Sequence, residues 1–103
     1  MPRMTNYIKK GNDAASGSLV VSSNGHQKHQ IIAKVTTPAA GTMTVKVRNT
    51  LDNTAGYVDL PTPVTVDLSG ASDLVQIEAV GEIELAWTGF TGASFDVSVD
   101  SYD

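Results

Sequence analysis

The chain has 103 residues, 41% of them hydrophobic and 17% charged, with no cysteine and a formal net charge of -4. That length fits one small domain with a single core, and the composition excludes disulfides, thiolate nucleophiles, cysteine zinc sites and any apolar run near the roughly 20 residues that span a bilayer. The charge is unevenly spread: all seven Lys and Arg lie at or before Arg48 beside the single acid Asp13, and the other ten acids lie from Asp52 onward, so residues 1–51 carry +6 and residues 52–103 carry -10.

Val and Thr are common and the helix-surface residues Leu, Glu, Lys and Arg are sparse, which favours sheet. Residues 1–17 open with Met-Pro-Arg and continue through Lys9-Lys10-Gly11 into small polar residues. They read as a short basic N-terminal arm holding a possible first strand at Asn6–Lys9, ahead of a β-sandwich domain over 18–103. No apolar core follows the early positive charge, so this is not the pattern of a secretory signal. Ser18–Ser22 is the next strand. In Gln30–Thr36, Ile31, Ala33 and Val35 face one way and Ile32, Lys34 and Thr36 the other. Met43, Val45 and Val47 alternate with Thr44, Lys46 and Arg48. Shorter strands follow at Gly56–Asp59 and Val64–Asp67, and Gly70–Asp73 has room for one helical turn at most. Leu74–Val80 would bury Val75, Ile77 and Ala79. The last two strands alternate Ile83, Leu85 and Trp87 with Glu82, Glu84 and Ala86, then Phe95, Val97 and Val99 with Asp96, Ser98 and Asp100.

Turn residues separate these segments at Asn24-Gly25, Pro38–Gly41, Asp52-Asn53, Pro61 with Pro63, Ser69-Gly70, Gly81 and Gly89–Gly92. Short strands every 8–12 residues with no helix between them predict an all-β fold, a single antiparallel β-sandwich of about eight strands, jelly-roll-like. The expected core is Met43, Val45, Val47, Val75, Ile77, Ile83, Leu85, Trp87, Phe95, Val97 and Val99. No internal repeat or low-complexity tract interrupts it.

Chemistry-bearing residues are few. His26 and His29 are the only histidines; two ligands beside a turn are half of a zinc site, and they read as an exposed, polar hairpin tip. Glu82 with Glu84, and Asp96 with Asp100, project from common strand faces. Paired carboxylates serve glycoside hydrolysis when held in an aromatic cleft with shifted acidities. With six aromatics in the chain, these acids read instead as solvated strand faces. Asp52-Asn53 and Asp59 offer hard oxygens but lack the spacing of a calcium loop. No nucleophile elbow or phosphate loop occurs, since Gly89-Phe-Thr-Gly92 lacks the lysine and the following helix. The expectation is a protein that is not an enzyme and uses no cofactor and no metal.

Arg3, Lys9, Lys10 and Lys28 are candidates for phosphate contact, but the chain as a whole is acidic and no aromatics interleave with them for base stacking. A basic segment gripping an acidic protein surface fits better, with no nucleic acid and no membrane as partner. Trp87 continues an apolar strand face and belongs to the core. Phe90, in a glycine-flanked turn, is a candidate exposed anchor. The expected partner contacts are therefore Arg3, Lys9, Lys10 and Phe90.

The stretch Ile83-Glu-Leu-Ala-Trp-Thr-Gly-Phe-Thr-Gly-Ala-Ser-Phe-Asp-Val-Ser-Val99 resembles small β-sandwich virion proteins of tailed bacteriophages, most closely the capsid decoration, or cement, proteins. That resemblance covers about a fifth of the chain. It implies a structural protein made in the host cytoplasm and located on the virion, at the capsid surface. Its partner would be the major capsid protein or another virion protein, and its residues Met1–Lys10 would grip the shell. A closed homo-oligomer is also expected. The alternative is a carbohydrate-binding or adhesion module of a virion or cell surface, which needs an aromatic platform from Tyr7, Tyr57 and Tyr102. A more remote third reading is a small glycan-processing domain using Glu82 or Glu84. The two charge halves admit two arrangements. Segregated, they would dock basic surface to acidic surface between copies; interleaved, they would form cross-strand pairs worth about 0.2–1 kcal/mol each.

Overall fold

Among the described residues nine strands form two sheets. They are β1 (Met4–Asn12), β2 (Gly17–Ser22), β3 (Lys28–Thr36), β4 (Thr42–Arg48), β5 (Val58–Asp59), β6 (Thr65–Asp67), β7 (Ser72–Glu78), β8 (Glu82–Thr88) and β9 (Ser94–Tyr102). The chain passes from one sheet to the other between consecutive strands except from β4 through β5 to β6, which share a sheet. The computed structural model describes residues 4–23, 25–48, 56–60 and 62–103. One sheet has the order β1-β9-β3-β7; the other runs β2-β8-β4-β5, with β6 also paired to β4. Every pairing is antiparallel. This is the jelly-roll arrangement: a long antiparallel ribbon (β1 on β9, β2 on β8, β3 on β7, β4 on β5 and β6) rolled until β9 meets β3 and β8 meets β4.

The rolled ribbon gives the charge split its meaning. Each of the seven pairings joins a strand at or before Arg48 to one at or after Val58, so the basic and acidic halves interleave. Lys28 stands opposite Glu78, Lys34 opposite Asp96, Lys46 opposite both Glu84 and Asp59, and Arg48 opposite Glu82. Directly opposed unlike charges favour this register and penalise slips that would bring like charges together.

All nine expected strands are present. The inward residues Met43, Val45, Ile77, Ile83, Leu85, Trp87, Phe95, Val97 and Val99 are buried, while Val47 and Val75 are half-buried around them. Val21, Ile31, Ala33, Val35, Leu60, Val66, Leu68 and Phe90 complete the core. Trp87 and Phe95 meet edge-on with centroids 5.1 Å apart, and the Trp87 Nε1–H donates to the Ala14 carbonyl at 3.0 Å. Gly17, directly opposite Trp87 in the ladder, leaves room for the indole; a Cβ there would lie 2.5 Å from Cζ2.

Two expectations change. The possible first strand of the N-terminal arm is present and longer than expected: it runs from Met4 to Asn12 and pairs with β9 over Met4–Lys9 and again at Asn12. Its polar composition suits an edge, where Lys side chains and a bulge deter pairing with another chain. The bulge falls between Lys9 and Asn12, at Gly11 with φ +70°, a left-handed conformation that glycine adopts without penalty. Gly70–Asp73 holds no helical turn: residues 69–71 bend the chain and β7 begins at Ser72.

Candidate functional site

Of the four expected partner contacts, Lys9 and Lys10 are exposed on β1, and Arg3 lies outside the described residues. Phe90 is corrected. It is 3% exposed and stacks edge-on against Phe95, centroids 4.9 Å apart. Backbone bonds turn it inward: the Phe90 N–H donates to Ala15 O and the Thr91 N–H to Ala40 O, both at 3.0 Å. Gly41 and Gly92 pass close enough that an added Cβ at either would lie 3.0 Å from Phe90. The ring therefore closes one end of the core between the sheets and presents no anchor.

The histidines are also corrected. His26 and His29 are 1% and 0% exposed. The His29 Nε2 lies 2.9 Å from the Ala79 carbonyl and its Nδ1 2.7 Å from the Ser101 hydroxyl. A carbonyl only accepts, so Nε2 carries the proton and Nδ1 accepts from Ser101. Burial holds the His29 pKa below the ordinary histidine range, against the raising effect of the bond to Ala79 and with a smaller lowering effect from His26. His26 Nδ1 approaches Asp103 Oδ1 at 3.2 Å. Ser23 and Gln27, on either side of His26, are tied to the β7–β8 connection: the Ser23 N–H donates to Gly81 O and the Ala79 N–H to Gln27 O. Among the described residues no three His, Asp or Glu side chains converge as metal ligands. Asp59 is described as the exposed end of β5, and Asp52-Asn53 lies outside the described residues.

Glu82 is engaged. It accepts from Arg48 Nη2 at 2.6 Å and from the Tyr57 hydroxyl at 2.9 Å, and the Arg48 guanidinium lies 4.6 Å from the centre of the Tyr57 ring. These bonds, Arg48 first and Tyr57 second, pull the Glu82 carboxyl below its usual range; a general acid needs the opposite shift. Burial, and then the bond to Glu82, pushes the Tyr57 phenol up. Glu84 stands opposite Lys46. Ser18, Ala86, Thr44 and Thr65 form the neighbouring row of this outer face.

The outer face of the four-stranded sheet is built differently. Read across β1, β9, β3 and β7, one rung is Ile8, Ser98, Ile32 and Leu74. Ile8 and Leu74 are 53% and 52% exposed and Ile32 is half-buried. On one side lies the rung Asn6, Asp100, Gln30 and Gln76, in which Asn6 Nδ2 donates to Asp100 and Gln76 Nε2 to Gln30 Oε1 at 3.1 Å. On the other lie Asp96, Lys34 and Ser72, with Lys10 at the bulge where the Gly11 N–H donates to Asp96 Oδ1 at 2.9 Å. A rung that is apolar at three of its four positions, with Ser98 the fourth, crosses the face between two polar ones. Each member looks isolated in the sequence, because Ile8, Ile32 and Leu74 come from three distant strands; only the register brings them into line.

No protein-family model and no curated protein sequence matches this chain. Among solved structures, the chain is similar to the SPBc2 prophage-derived protein YomS, with a TM-score of 0.69 at 8% identity over 100% of this chain and 96% of that one. It is also similar to a chain from the disulfide-linked pili of Bacillus endospore appendages, with a TM-score of 0.52 at 12% identity over 97% of this chain and 87% of that one. At these identities the likeness is one of fold. The disulfide linkage of those pili has no counterpart here, since this sequence has no cysteine.

Proposed function

We propose that the chain is a non-enzymatic virion structural protein of a tailed phage, and within that class a capsid decoration protein that binds the head exterior and bridges capsid subunits. The observation that carries this reading is the end-to-end likeness of its jelly roll to a prophage-derived protein of nearly the same extent. The exposed apolar rung supports a role in protein contact. The mechanism is burial of surface over the seam between neighbouring capsid subunits, with the acidic net charge and the exposed Lys9 and Lys10 setting orientation. The glycan-binding alternative draws no support from the tyrosines. Tyr7 packs against the core from β1, Tyr57 lies against Arg48 on the other sheet, and Tyr102 is on the outer face of β9.

Co-sedimentation with empty heads of tailed phages tests the proposal. Saturable binding at a fixed ratio to capsid subunits, with a rise in the temperature at which the heads open, is the expected result. Protein that stays in the supernatant yet binds a glycan array would overturn it.

A further inference from the structure

The outer face of the β1-β9-β3-β7 sheet is complementary to itself under one particular two-fold rotation. Place the axis parallel to the strands, on the sheet surface midway between β9 and β3. Rotation by 180° exchanges β1 with β7 and β9 with β3 while leaving each rung at its own level. Ile8 then faces Leu74 of the second copy, and Ser98 faces its Ile32, so the rung that holds the three large apolar side chains lies on its own counterpart. One level along, Asp96 faces Lys34 of the second copy. On the other side Asn6 faces Gln76 and Asp100 faces Gln30, and beyond them Tyr102 faces Lys28. Among these described facing pairs no like charges meet.

The alternative axis, running along the apolar rung, sets Asp96 against Asp100 of the second copy and Ile8 against itself. Self-complementarity thus selects one symmetry.

The area is sufficient. Four strands about 4.8 Å apart and about 30 Å long present roughly 570 Å² of face per copy, so a dimer buries more than about 1,000 Å² in total, the size of a specific interface. Two twisted sheets packed face to face keep their strands within about 30° of each other, and an axis along the strands produces that alignment.

We propose that two copies of this chain form a two-fold dimer through the outer face of the β1-β9-β3-β7 sheet, its axis parallel to the strands between β9 and β3. This dimer does not depend on the virion reading: it forms in purified protein with no capsid present.

Sedimentation equilibrium of the purified chain, and of two charge reversals, tests it. The wild-type chain sediments as a dimer. Asp96→Lys places lysines on both sides of the axis and Lys34→Asp places aspartates there, so each variant alone associates at least tenfold more weakly. An equimolar mixture of the two regains dimers, because the lysine introduced in one variant then faces the aspartate introduced in the other across the axis. Their in-chain neighbours stay mismatched in the mixture, so a purely internal effect of either substitution is not rescued. Ile32→Lys, at the centre of the face, gives a monomer that mixing does not rescue, and circular dichroism confirms that each variant is folded. A monomeric wild-type chain, a dimer indifferent to these substitutions, or a mixture that stays monomeric would each overturn the proposal.

Discussion

The two outer faces of this sandwich differ in how they use the same strand chemistry. On the β2-β8-β4-β5 sheet, Lys46 stands between Glu84 and Asp59, Arg48 is bound to Glu82, and the row beside them is Ser, Ala and Thr. The highly exposed apolar residues of that sheet, Val20 beside Glu84 on β2 and Val58 opposite Val47 on β5, sit on opposite edge strands in different rows and do not align. On the β1-β9-β3-β7 sheet, three large apolar side chains align across the full width between polar rungs. The first face is finished within one chain. In the proposed dimer a second copy covers the second face, in keeping with exposed apolar rows rimmed by polar residues as interaction sites. What distinguishes the faces is therefore alignment across strands, which composition does not record.

The greatest loss should come from removing what the two faces share. Phe95 touches both Trp87 and Phe90 between the sheets, so Phe95→Ala should cost about 3–5 kcal/mol. Because one core supports both faces, urea unfolding followed by fluorescence of the single Trp87 and by far-UV circular dichroism should give coincident, single transitions, before and after the substitution. A sheet that melts separately would show the faces to be independent.

Acid separates the faces by pH. His29, inside the β1-β9-β3-β7 sheet, has a lowered pKa, so the unfolded chain binds a proton more readily than the folded one. Stability is therefore full above the ordinary histidine value of 6.5 and falls as pH drops below it, levelling off under the folded value. Glu82, on the other sheet, has a lowered carboxyl pKa, so its contribution is present above its ordinary value of 4.5 and is lost as pH falls through the folded value. Thermal melts from pH 8 to pH 3 should show two successive losses. His29→Gln should flatten the one below pH 6.5, and Glu82→Gln the one below pH 4.5, whatever the absolute stability of each variant. A single loss confined to one window would contradict this division.

The weakest contribution is that of the charges themselves. A double-mutant cycle on Lys46→Gln and Glu84→Gln should give a coupling of about 0.2–1 kcal/mol that shrinks in high salt. A coupling of several kcal/mol would mean that these cross-strand charges carry the fold rather than guide its register.

Much of the fold was legible in the sequence because strand alternation is local. Met43 to Val47, Ile83 to Trp87 and Phe95 to Val99 each declare a buried face with no knowledge of their neighbours. The charge split was legible too, but its meaning was not. Opposite charge on the two halves fits both segregation and pairing, and only the rolled ribbon, which sets every early strand against a late one, decides for pairing. Residues at the ends of the sandwich misled for a different reason. Phe90 and the two histidines sit among turn residues, which usually mean exposure, but here the connections fold back over the core and backbone bonds to Ala15, Ala40 and Gly81 seal them. The first strand was legible only over Asn6–Lys9, within what read as an arm, because an edge strand has one hydrogen-bonded neighbour and keeps polar side chains such as Lys9 and Lys10. The aligned rung had no local signal at all, since Ile8, Ile32 and Leu74 are assembled by register alone.

One outer face, then, pairs its charges within the chain, and the other is the one the proposed dimer would cover. Matched substitutions at the middle of each face test that division in a single experiment. Ile32 and Thr44 are both half-buried residues on central strands, pointing outward from opposite sheets. Sedimentation velocity of Ile32→Lys and Thr44→Lys over a concentration series should give a monomer for the first and the wild-type dimer for the second. Equal behaviour of the two variants, or a dimer lost only in Thr44→Lys, would contradict it.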